Sequence, residues 1–149
     1  MRELATNYDH EEAYVYLPDG RVYHKKGVLN KVAFTTEECK LFEGGVLMHN
    51  HPSATFSPED IAFGIKHKLK EIRAVAPDKQ YRAKLTQDLG ELSLQSIKGQ
   101  IEEAKDDIEK SMRGFNSKKY EYYLMNFHDI AIRAFLKKIG TTMITTNFK

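Results

Sequence analysis

Val46-Leu47-Met48-His49-Asn50-His51-Pro52, followed by Ser57-Pro58-Glu59-Asp60, is the stretch on which the reading of this chain turns. The apolar run Val46-Leu47-Met48 reads as a buried strand. Side chains alternate faces along a strand, so His49 and His51 share one face, a pleat repeat apart. Ser57-Pro58-Glu59-Asp60 reads as a helix start. Serine caps, proline suits the first helical position, and acids meet the positive end of the helix dipole. Strand, loop and helix therefore converge on one place with two imidazoles and a carboxylate. Two histidines and one carboxylate, with a fourth position left to water, are the ligands of a catalytic zinc site rather than a structural one.

Upstream, residues 11–17 read as a first strand rich in aromatic and β-branched residues. Pro18-Asp19-Gly20 is a turn, and residues 21–24 return as a second strand. Residues 31–35 predict a third strand, and Thr36 a cap for a short helix over 37–42. Gly44-Gly45 breaks the chain before the strand that ends in His49. Downstream, the helix opened by Ser57 carries Ile61, Ile65 and Leu69 on one face. Residues 71–76 and 80–86 read as strands joined by a turn at Pro77-Asp78.

From Leu92 the period changes. Leu94, Ile97, Ile101, Ala104, Ile108 and Met112 recur at helical spacing, and after a break over 114–117 a second helix carries Tyr120, Tyr123, Leu124, Phe127, Ile130, Ala131 and Ala134. Gly140 ends it, and residues 141–148 read as a last strand. The expected architecture is α/β: a single domain over 1–149, a mixed sheet flanked by helices, with a helical hairpin over roughly 92–139 before the C-terminal strand. The charged faces of the late helices mix both signs, which reads as solvated helices packed on the sheet; a substrate or homodimer surface is the alternative.

With 149 residues the chain can bury a real core. Its net charge of +2 gives no electrostatic case for nucleic acid or a membrane surface. Lys66, His67, Lys68, Lys70 and Arg73 form a local basic cluster, read as the solvated side of a helix. The one cysteine, Cys39, excludes an intramolecular disulfide and reads as a free thiol in a reducing compartment. The N-terminal residues lack the apolar core of a signal peptide, and no run approaches a membrane span. The expected location is the cytoplasm.

His-x-His-Pro followed by Ser-x-x-Asp resembles the JAMM motif of the MPN (JAB) domain metalloproteases, over roughly residues 8–86 and the final strand. The His-Asn-His-Pro form is more similar to the prokaryotic and phage branches, RadC-like proteins among them, than to the eukaryotic deubiquitinases. The interval from His51 to Asp60 is slightly shorter than the family's. The resemblance implies a cytidine-deaminase-like MPN/JAB fold and a zinc ion held by His49, His51 and Asp60. It gives Ser57 a part in stabilising the tetrahedral intermediate, and it places a general acid/base glutamate on an earlier strand. That glutamate is Glu11 or Glu12. Glu11 shares parity with Ala13, Val15 and Leu17, the set that looks packed inside, and so takes preference. The implied activity is a metallopeptidase or isopeptidase acting on a protein or peptide, a ubiquitin-like tail among the candidates. The rival expectation is a non-catalytic JAB-fold interaction module, with structural metal or none.

Each site residue has a competing local explanation. An acid in a helix's first turn is favourable without any metal, and Ser57 is an N-cap in its own right. Glu59 is the fallback ligand. Asn50 points to the opposite face, towards backbone hydrogen bonding. His10, His24, His67 and His128 are assigned no role in the chemistry. The string His-Asn-His is not read as an HNH nuclease, whose namesake residues are dispersed over a ββα-metal fold.

Overall fold

The computed structural model describes residues 12–26, 34–50, 55–85 and 89–148. Strands β1 (Glu12–Tyr16) and β2 (Val22–Lys26) form an antiparallel hairpin. Gly20, at φ +91°, supplies the left-handed residue of its turn, where Leu17 donates its N–H to the Arg21 carbonyl. A single turn, α1 (Thr36–Cys39), precedes β3 (Val46–Asn50). Then come α2 (Pro58–Lys66), β4 (Glu71–Val75), β5 (Lys79–Lys84), α3 (Leu94–Met112), α4 (Ser117–Met125), α5 (Phe127–Lys138) and β6 (Met143–Asn147). The six strands make one sheet in the order β2-β1-β3-β4-β5-β6. Every neighbouring pair is antiparallel except β3 and β4, which are parallel. A parallel pair needs a crossover, and α2 supplies it. The mixed α/β reading therefore holds.

The register separates the two faces. Ala13 pairs with His49 and Val15 with Leu47. Leu47 and His49 in turn lie beside Ile72 and Ala74, and Ala74 and Ile72 face Tyr81 and Ala83. These side chains form the core floor, covered by Ile61 of α2, Ile97 and Ile101 of α3, and Ile132, Phe135 and Leu136 of α5. Each such aliphatic side chain contributes about 1.5–3 kcal/mol when fully buried. The other face carries a smaller cluster of Met48 and Val75 with Tyr14 and Phe148. On it Glu71 is buried, held by Arg73 at 2.7 Å and Arg82 at 3.1 Å, so Arg73 is engaged in the sheet rather than in a basic surface.

Several boundaries differ from the sequence expectation, each for a local reason. The proposed third strand falls partly on 31–33, outside the described residues, while Phe34 and Thr35 are not in a strand. Thr35, not Thr36, caps α1: its Oγ1 accepts the Glu38 N–H, and Glu38 returns the bond to the Thr35 N–H. Helix α2 stops at Lys66, before Leu69. The Lys68 N–H bonds the Ile65 carbonyl and the Leu69 N–H the Gly64 carbonyl, a Schellman ending with Lys68 at φ +53° where glycine is usual. Leu69 reaches the core from beyond that ending. Gly64 sits where α2 meets the sheet: a Cβ there would lie 2.5 Å from Leu85 Cδ1 and 3.0 Å from Ile72 Cγ2.

The second late helix is two helices. The chain breaks at Asn126, whose side-chain amide donates to the Tyr122 carbonyl. α3 and α5 join the core layer, whereas α4 buries no residue and leaves Tyr122, Leu124 and Met125 exposed. No helix among the described residues is long and apolar enough to cross a membrane.

Candidate functional site

His49 stands on the core face at the carboxyl end of β3, 6% exposed. Its neighbours in the register are Ala13 on β1 and Ala74 on β4. Two small residues flank the imidazole, so a ring fits within a face otherwise filled by aliphatic side chains. Asn50 takes the opposite parity, as expected, and its Oδ1 accepts the Glu12 backbone N–H at 2.6 Å, which ties the start of β1 to the end of β3.

The facing group arrives on α2. Ser57 Oγ accepts the Asp60 N–H at 3.2 Å, and Asp60 Oδ2 accepts the Ser57 N–H at 2.9 Å, a complete capping box with Pro58 in the first turn. The same Asp60 Oδ2 lies 3.3 Å from His49 Nε2, with both side chains largely buried. The structure thus brings His49, Asp60 and Ser57 together. The neighbouring Glu59 turns outward to Lys98 at 3.2 Å.

Of the two candidate bases, only Glu12 falls among the described residues. Glu12 Oε1 contacts His24 Nε2 at 3.2 Å and Lys26 Nζ at 3.7 Å. By register this is the face opposite His49, where His24 also stacks on Tyr14 with ring centroids 4.3 Å apart. Glu11, His51 and His10 lie outside the described residues. Among the described residues no group of three histidine, cysteine, aspartate or glutamate side chains is placed to hold a metal ion; His49 and Asp60 form a pair.

Two residues from far along the chain reach this neighbourhood. Asp129, in the first turn of α5, accepts the Thr55 N–H on Oδ1 at 3.1 Å and the Tyr81 hydroxyl on Oδ2 at 2.8 Å. Burial of Tyr81, then that bond and the charge of Asp129, push the phenol's pKa far up. His128 Nε2 lies 3.0 Å from the Phe56 carbonyl. Neither His128 nor Asp129 stands out in the sequence as part of this site. An acid in the first turn of a helix is the only local signature of Asp129.

No family model, curated protein or solved structure matches this chain.

Proposed function

We propose that the chain is a zinc-dependent hydrolase of the MPN/JAB type, cleaving a peptide or isopeptide bond. The observation that carries this is the approach of Asp60 Oδ2 to His49 Nε2, 3.3 Å apart and largely shielded from solvent. The two groups come from separate elements at the end of β3, within a β-α-β unit, where ligands of α/β folds commonly bind. Their chemistry suits zinc, which takes imidazole nitrogen and carboxylate oxygen. His49, His51 and Asp60 would hold the ion. Zinc in such a site supplies Lewis acidity, polarising a carbonyl and bringing the ionisation of water towards neutral pH.

The remaining work falls to the protein's own groups. Ser57 Oγ accepts from the Asp60 N–H, which leaves its hydroxyl hydrogen for the oxygen of a tetrahedral intermediate. The base needs a carboxylate that takes a proton from the attacking water and gives it to the leaving amine. Glu12 is occupied with His24 and Lys26 on the other face, which favours Glu11, whose sequence parity is that of the buried Ala13 and Val15.

A second reading, a non-catalytic interaction module of the same fold, has one observation in its favour. Asp60 already serves as cap to its own helix and as partner to His49. Elemental analysis of the purified protein separates the two. About one zinc per chain, lost on His49→Ala, is expected for the hydrolase; none from metal-replete medium favours the module.

A further inference from the structure

Among the described residues three helices carry an acid at their third position, and they use it in two ways. Glu38 of α1 and Asp60 of α2 each reach back to their own cap residue. Asp129 of α5 does not: the Asn126 side chain makes no capping bond to this helix, and the carboxylate is spent across the molecule on Thr55 and Tyr81. Its neighbour His128 contacts the next carbonyl, that of Phe56. Two consecutive residues of α5 thus grip two consecutive residues of the segment that leads into Ser57. Thr55 is fully buried, and its hydroxyl contacts Met143 Sδ at 3.2 Å, a third hold from the same late part of the chain.

We infer that Asp129, assisted by His128, is a positioning residue that fixes the approach to Ser57, so that the capping box presents Asp60 to His49. The late helical segment is then a component of the site rather than an appendage to it. For its effect on a metal this rests on the function proposed above; the positioning itself does not.

The test begins with the metal-free protein. Amide hydrogen exchange over residues 55–60 and the ¹⁵N signals of the His49 ring are compared in wild type, Asp129→Leu, Asp129→Asn and Tyr81→Phe. Losing a bond to a charged acceptor is expected to raise exchange at 55–57 by about tenfold or more in Asp129→Leu, with the His49 ring signals displaced. Asp129→Asn keeps an acceptor for the Thr55 N–H and restores both towards wild type. Unchanged exchange and ring signals in Asp129→Leu overturn the inference. Should that variant fail to fold, Tyr81→Phe decides, since it removes one of the carboxylate's two hydrogen bonds and keeps the ring in the core: faster exchange at 55–57 supports the inference, and none overturns it. Zinc titration of the same proteins separates the two claims. Wild type that binds zinc about 10–100-fold more tightly than Asp129→Leu supports both. Wild type that takes no zinc while Asp129→Leu still loosens 55–57 removes the hydrolase and leaves the positioning intact.

Discussion

Thr35 and Ser57 close the same kind of cap, and the two helices they open differ in what the reciprocating acid meets. At α1 the acid is Glu38, which pairs with the half-exposed Lys25 at 3.2 Å. At α2 it is Asp60, exposed to much the same degree as Glu38 but set against the buried imidazole of His49. The hydrogen bonds within each box are nearly the same. A capping box is therefore no sign of function here. The buried partner beside one of them is the distinguishing feature, and it exists because α2 follows directly from the strand that carries His49.

The comparison can be broken most sharply at the acids. Asp60→Ala should abolish zinc binding and take amide hydrolysis to background, while Glu38→Ala should leave both untouched and only modestly lower the melting temperature. If metal content and turnover are unaffected in Asp60→Ala, the two caps are equivalent and the hydrolase reading goes. Next in size, Glu11→Gln should retain zinc by elemental analysis and lose about 10²–10⁴ in kcat, the usual share of a general base; Glu12→Gln should stay within a few-fold of wild type. The serine and threonine sharpen the contrast further. Ser57→Ala and Thr35→Ala should each cost about 1 kcal/mol in urea unfolding, but only Ser57→Ala should also slow turnover, by about 10²–10³.

The smallest effect is one of pH. The Thr35 backbone N–H, and secondarily Lys25, hold the Glu38 carboxyl below its ordinary value of 4.5. A carboxyl depressed in the folded state stabilises above its unfolded value, and that stabilisation is lost as pH falls through the folded value. Melting temperature against pH should therefore fall less steeply below about 4.5 in Glu38→Gln than in wild type. Parallel curves would show that the α1 cap contributes nothing through charge.

What was legible in the sequence was local. The start of α2 could be read because Ser57, Pro58 and Asp60 each act on backbone groups within a few residues. The faces of β1 and β3 could be read because parity is a property of the strand itself. Helix ends were harder. The apolar spacing through Tyr123, Phe127 and Ile130 runs on past Asn126, so only the bond from that side chain to Tyr122 marks the break. Leu69 continues the α2 stripe although a lysine in left-handed conformation has already ended the helix. The grip of Asp129 on Thr55 spans 74 residues and depends on where α5 comes to rest, which no local pattern specifies. Glu12 was separable from the site only once its pairing with Lys26 and His24 was in view.

The missing side chain at Gly64 governs more than its own turn. α2 rests close enough to the sheet that a single added carbon would strike Leu85 and crowd Ile72. Asp60 rides the same rigid rod, one turn nearer its tip. Were the added carbon accommodated by lifting the rod rather than by turning the Leu85 methyl aside, that tip would move away from the imidazole, so the clearance between acid and base leans on an atom that is not there.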